Sequence, residues 1–230
     1  MKIAVLGLEE FPLGKKPIID QRLTNLEPLI KPSKTTYLSI DFLDAGSFKD
    51  ADAIICEKGS KLDLVINDLE IVEGRLERLR EGEDSNLLLR AKEILEKNNC
   101  LYGESFSDEE RKNLLNSNLA SLKPIYFADK SQGKSYPDIM FESYYAFGMI
   151  CFITGAKDKE LKAWPIKKGS SAYDAAGAIH SAIQQKFIKA EIISYDDVVK
   201  AGGLTQAKQY MHLEGREYVM KDGDLLNVRT

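Results

Sequence analysis

Across residues 62–79 the apolar side chains Leu62, Ile66, Leu69, Val72, Leu76 and Leu79 recur every three or four positions. That period marks one face of a long amphipathic helix. Glu73 with Glu77, and Arg75 with Arg78, leave the other face charged. The polar break at 81–85 turns the chain, and helical spacing resumes over 87–95, so residues 62–98 are expected to form a helical hairpin. Such a pair is ordinarily a packed hairpin, although a short protruding coiled coil would also offer a partner surface.

Around this hairpin, strands and helices alternate. Residues 2–7 read as a buried strand leading to a glycine, and residues 35–43 are rich in β-branched and aromatic types. Residues 51–56 form another short apolar run, and 123–128 return as a strand. Ser107-Asp108-Glu109-Glu110 has the capping-box pattern, predicting a helix to about residue 118. Pro137 is placed to start a helix reaching about residue 148. From 162 to 230, strand, helix and strand signals follow closely, punctuated by Gly169, Gly202, Gly203, Gly215 and Gly223, as in a compact α+β module. At 230 residues the chain is long enough for two small domains, expected here at 1–155 and 156–230.

Lys plus Arg total 32 against 36 Asp plus Glu, a formal net charge of -4, so a whole-molecule basic footprint for nucleic acid is absent and any RNA contact must be local. Residues 162–230 carry a small excess of Lys and Arg. The candidate partner-binding residues lie there: Lys167, Lys168, His180, Lys186 and Lys189. Paired lysines are ordinarily solvated charge, and with only His180 and His212 present no histidine relay is evident. Cys56, Cys100 and Cys151 lack metal-ligand spacing and fit a reducing, cytoplasmic setting without zinc or disulfides. The longest apolar stretch, 144–153, falls short of the roughly 20 residues that a membrane span needs. The apolar run at 3–6 is too short for a signal peptide. A soluble protein with no membrane and no DNA partner is expected.

From Tyr144 onward the chain reads Phe147-Gly148, Phe152-Ile153-Thr154, Lys162-Ala163-Trp164-Pro165-Ile166, Ala175 to His180, Phe187 to Glu191, Tyr195-Asp196-Asp197, Glu214 to Val219 and Lys221-Asp222-Gly223-Asp224. In this order these segments resemble the YchF (Obg-like) ATPase family. The resemblance implies a TGS-type, ubiquitin-like β-grasp domain, a regulatory or interaction surface. Upstream, Asp20-Gln21-Arg22-Leu23, Asp44-Ala45-Gly46, Asn67-Asp68-Leu69-Glu70 and Leu122-Lys123-Pro124 look like shortened landmarks of the family's G domain and coiled coil. The implied fold class is α/β: a reduced P-loop-NTPase-like sheet with a helical hairpin, then a β-grasp domain.

The departures fall on the chemistry. A phosphate-binding loop aims backbone N–H groups from a glycine-rich turn and helix N-terminus at phosphate, with Lys as counter-charge and Ser or Thr on magnesium. Here Gly7 and Gly14 are separated by six residues instead of four, Lys15 is present, Lys16 replaces the hydroxyl, and Pro17 follows. Glu9 and Glu10 fall inside the loop, where a carboxylate about 6 Å from a phosphate charge costs roughly 3 kcal/mol at an effective dielectric of about 20. Asp44 and Gly46 stand one residue closer than the family's Asp-x-x-Gly spacing. Phe127-Ala128-Asp129-Lys130 stands where the family has an Asn-containing, base-reading motif.

Gly7, Gly14, Lys15, Lys16, Asp44 and Gly46 are therefore read as a degenerate nucleotide site, with no catalytic and no metal-binding residue assigned. The expected function is that of a pseudo-NTPase acting on a ribosomal, RNA or protein partner and needing no cofactor. The alternative is an atypical protein that binds ATP or GTP with Mg and hydrolyses it weakly. A decoy competing with an intact paralogue is a third reading.

Overall fold

The computed structural model describes residues 1–79 and 85–230. The turn expected at 81–85 lies largely outside the described residues. In chain order the first half contains β1 (Lys2–Leu6), β2 (Gly14–Ile18), α1 (Gln21–Ile30), β3 (Lys34–Thr36), β4 (Leu38–Leu43), β5 (Ala53–Glu57), α2 (Lys61–Leu76), α3 (Asn86–Glu96) and α4 (Asp108–Leu115). Then follow β6 (Ile125–Ala128), α5 (Tyr136–Ala146), β7 (Met149–Thr154), β8 (Glu160–Lys167), α6 (Ala172–Ile179) and α7 (Ser181–Gln185). The chain closes with β9 (Lys189–Ile193), α8 (Tyr195–Ala201), α9 (Leu204–Ala207), β10 (His212–Glu214) and β11 (Leu225–Arg229).

Two compact units result: Met1–Lys16 with Ile40–Ile139, and Pro17–Ser39 with Met140–Thr230. This differs from a single boundary at 155, because the α1–β3 segment is built into the C-terminal unit: β3 pairs in parallel with β8, Thr35 opposite Leu161. The single strand expected over 35–43 is likewise two. β3 belongs to one sheet and β4 to the other, with Tyr37 between them. Local β-propensity marks both halves alike and carries no information about which sheet receives each.

The first unit holds a five-stranded sheet in the order β2-β4-β1-β5-β6, parallel from β4 through β6. Ile3, Ala4, Val5, Ala53, Ile54, Ile55 and Cys56 are all buried. Continuous apolar runs of this kind belong to parallel strands covered on both faces. Helices α2, α3 and α4 share a core of Val65, Val72, Ala91, Leu95, Leu101, Leu114, Leu119 and Leu122. The buried face of α2 is Leu64, Val65, Asp68 and Val72. Leu62 and Ile66, read from the sequence as core, are about half exposed. Leu69, Val72 and Leu76 of the expected face do pack on that core, while midway along the helix the buried carboxylate of Asp68 accepts the backbone N–H groups of Ala120 (2.8 Å) and Ser121 (2.7 Å), tying α2 to the turn after α4. The expected capping box at Ser107 and Glu110 is present, but α4 stops at Leu115 instead of near 118.

The second unit's sheet runs β10-β9-β11-β7-β8-β3, with β7 and β11 parallel at its centre. Ile150, Phe152, Ile166, Ile192 and Leu226 pack against Ala172, Ala175 and Ala176 of α6. Ser171 caps that helix, its hydroxyl accepting the Asp174 N–H while Asp174 accepts the Ser171 N–H.

Candidate functional site

Open parallel sheets bind ligands beyond the carboxyl ends of their strands, where the strand order reverses. In the first unit that place lies beyond β1, which has β4 on one side and β5 on the other. Gly7 follows β1 with φ +76°, and a Cβ built there would come within 2.2 Å of the Ser60 hydroxyl and 2.9 Å of Glu57 Cβ. The turn after β5 therefore lies directly against the turn after β1. Gly7→Ala is expected to cost about 2 kcal/mol or more, from left-handed strain plus the clash, in urea unfolding. A variant as stable as the parent would refute this close approach.

The loop beyond Gly7 is held down by its own side chains. Buried Phe11 meets Phe42 edge-on with ring centroids 5.3 Å apart, and meets Tyr136 at 5.0 Å. The Tyr136 hydroxyl donates to the Glu9 carbonyl. Gly14, at φ +82°, opens strand β2 and not a helix, so Lys15 and Lys16 stand on the sheet's edge strand. Lysines and a proline on an edge, here followed by Pro17, discourage pairing with another chain.

Asp44 is occupied locally, accepting the Ser47 hydroxyl at 2.9 Å, and a Cβ at Gly46 would lie 3.3 Å from its Oδ1. Beyond β6, Asp129 pairs with Lys58 at 2.8 Å. That hydrogen bond from Lys58, with those from Ser131, lowers the Asp129 pKa to about 2.

The candidate partner-binding residues do not form one patch. Lys167 pairs with Met149 at the start of β7, whereas Lys189 pairs with Arg229 at the far end of β11, which itself joins β7 at Ile153. Eight strand residues separate the two levels, about 26 Å at about 3.3 Å per residue. Lys168 adjoins the first group, and Lys186 lies three residues before Lys189. His180 spends its ring capping α7, its Nδ1 accepting the Ala182 N–H at 3.1 Å.

A cluster that sequence reading left unassigned surrounds Arg22. Its guanidinium donates to both Asp20 oxygens (Nε to Oδ1 3.0 Å, Nη2 to Oδ2 2.7 Å), to Asp222 Oδ2 at 2.7 Å and to the Tyr145 hydroxyl at 2.8 Å. Asp222 also accepts the Cys151 N–H at 2.9 Å, and the Gly223 N–H donates to the Cys151 carbonyl at 2.8 Å. Gly223 has φ +83°, and a Cβ there would sit 2.6 Å from Arg22 Nη1. Burial alone would raise the Asp20 pKa, but the hydrogen bonds and charge of Arg22 outweigh it and leave the carboxyl below its ordinary value. Burial pushes the Cys151 thiol well up, so it is no neutral-pH nucleophile. The signal was present in two quoted motifs, Asp20-Gln21-Arg22-Leu23 and Lys221-Asp222-Gly223-Asp224, which nothing in a linear reading brings together.

Comparison with known proteins places this architecture. The YchF-GTPase_C family, described as a protein of unknown function, matches residues 149–230. The ribosome-binding ATPase YchF of Bacillus subtilis is 42% identical over 89 residues, which cover 38% of this chain and 24% of that protein. The matched part is thus about a quarter of that relative's length. The ribosome-binding ATPase YchF of Buchnera aphidicola is 23% identical over 322 aligned positions, covering 94% of this chain and 88% of the relative. That alignment is longer than the 230-residue chain and so passes through stretches present only in the relative. The structure of the Schizosaccharomyces pombe YchF GTPase superposes with a TM-score of 0.75 at 17% identity, spanning 100% of this chain and 97% of that one, and shows the same fold.

Proposed function

We propose that this chain is a binding or regulatory member of the YchF family that engages a ribosomal, RNA or protein partner in the cytoplasm through a TGS-like β-grasp module that starts at β7 and not near residue 156, about residues 149–230. The order β10-β9-β11-β7-β8, with a central parallel pair and α6 across one face, supports the β-grasp reading. Relatives named ribosome-binding ATPases support the class of partner.

The proposal includes loss of nucleotide turnover, and one observation carries that part. The turn after β1 runs into an edge strand, with Ser60 and Glu57 packed against Gly7. A triphosphate cradle needs a helix N-terminus at that point, room over the glycine backbone and a hydroxyl for magnesium. The residues present do not fit Mg-ATP or Mg-GTP.

Titration calorimetry of the whole chain with ATP and with GTP, each with magnesium, tests this. No saturable heat is expected at millimolar nucleotide. Tight, metal-dependent binding abolished by Lys15→Ala would favour the second reading, an atypical nucleotide-binding protein of weak activity, which the names of its relatives motivate. The partner arm is tested separately, by co-sedimentation with ribosomes.

A further inference from the structure

Resting on that reading of a partner-binding C-terminal module, we propose that one corner of the β3–β8–β7 sheet is a docking platform for single-stranded RNA. Trp164 is its base-stacking surface and a cluster of lysines its phosphate-contacting rim. The pairing register sets Lys34 opposite Glu160 and Thr36 opposite Lys162, then Lys162 opposite Thr154 and Trp164 opposite Phe152. Side chains alternate along a strand, so Glu160, Lys162 and Trp164 share one face with Thr36 and Thr154.

The indole is fixed in place. Its Nε1–H donates to Thr154 Oγ1 at 2.8 Å, and Phe152 stacks beneath it with centroids 6.3 Å apart and planes 9° apart. Lys162 Nζ lies 3.6 Å from the ring centroid. A half-buried, oriented aromatic carrying a flexible ammonium chain has the two parts that single-strand binding uses, a π-face for a base and a cation for the adjoining phosphate. On docking, the base takes the place of the ammonium and Lys162 swings to the phosphate.

Charge favours the same occupant. Lys31 and Asp158 are joined by a backbone hydrogen bond of 3.1 Å, and Ser33 and Lys159 by one of 3.0 Å. These bonds gather Lys31, Lys34, Lys157, Lys159 and Lys162 at this corner against Glu27, Asp158 and Glu160, of which Glu160 already pairs with Lys34 at 3.8 Å. A chain of net charge -4 thus carries a local positive excess, assembled from two segments more than a hundred residues apart. A polyanion with unstacked bases matches it better than an acidic protein surface, which has no use for the indole face.

Trp164 is the one tryptophan of the chain, so its own fluorescence reports the event. Titration of the intact protein with a labelled uridine decamer is expected to quench that emission in step with the rise in RNA anisotropy. The charge reversals Lys34→Glu, at an exposed position, and Lys162→Glu, at a half-buried one, should together weaken binding more than tenfold. They should also flatten the slope of log affinity against log salt by about 1.4, at about 0.7 per lost phosphate contact on a single strand. Trp164→Phe, which keeps an aromatic ring, should weaken binding only severalfold.

RNA binding without quenching, or binding indifferent to the charge reversals, overturns this site while leaving the partner-binding module standing. Failure to bind RNA while ribosome co-sedimentation survives in parent and charge-reversed protein alike overturns the RNA assignment alone. Loss of both RNA binding and co-sedimentation strikes the reading on which the proposal rests.

Discussion

Arg22→Met is expected to destabilise the second unit by about 3 kcal/mol, read as a lower urea midpoint at unchanged slope. The substitution fills much of the space but withdraws the cation from Asp20, whose side chain is 8% exposed, and from Asp222 at 32%. Removing one partner of a buried ion pair costs about 3–5 kcal/mol. The lower end applies because water still reaches Asp222.

The pH dependence distinguishes this account from simple loss of packing. In the parent the folded pKa of Asp20 lies below its ordinary value, so its contribution is complete above the unfolded value of about 3.9 and is lost only as the pH falls through the folded pKa. In the variant the residue-22 N–H and the Cys151 thiol still donate to Asp20, but burial, the largest single influence, is no longer offset by the guanidinium, and a carboxyl with a raised folded pKa gains stability as it is protonated. The deficit of Arg22→Met should therefore shrink on going from pH 7 to pH 4. A deficit constant across that range would show that the guanidinium acts by filling space and not by charge.

Asp68→Ala is expected to cost about 4 kcal/mol in the first unit. Its carboxylate, with no exposed surface, accepts the N–H groups of Ala120 and Ser121, and each buried donor left without a partner costs about 1–3 kcal/mol. Asp68→Asn should recover less than half, since only one side-chain atom can then accept. Hydrogen exchange supplies the local check: the amides of Ala120 and Ser121 should be protected in the parent and fast in Asp68→Ala. Protection that persists in the variant would mean that the tertiary packing of α2, α3 and α4, and not the carboxylate, holds that turn.

Much of the fold was legible in short windows. The Ser107 capping box, the helix beginning near Pro137 and the apolar strands at 3–6 and 53–56 each depend on residues within one turn or one strand. The periodicity at 62–79 gave the helix and, through Leu69, Val72 and Leu76, part of its packed face, but Leu62 and Ile66 fell outside it. An apolar count scores Leu62 and Ile66 as core and Asp68 as surface, whereas two backbone donors more than fifty residues away make burial of the carboxylate favourable. Motif spacing likewise pointed to a remodelled turn at 7–16, but not to an edge strand at Gly14–Ile18.

The sequence by itself determined most of the helical and extended segments, the cap of helix α4 and the family likeness of the C-terminal third. Those properties are set by hydrogen bonds and side-chain contacts within a few residues. Tertiary structure alone decided that 17–39 completes the C-terminal unit, that Arg22 meets Asp222 two hundred residues away, and that lysines 31, 34, 157, 159 and 162 share a corner with Trp164. The energy of such contacts depends on which distant segments the closed chain brings within about 4 Å of one another, and no local pattern of residues encodes that distance.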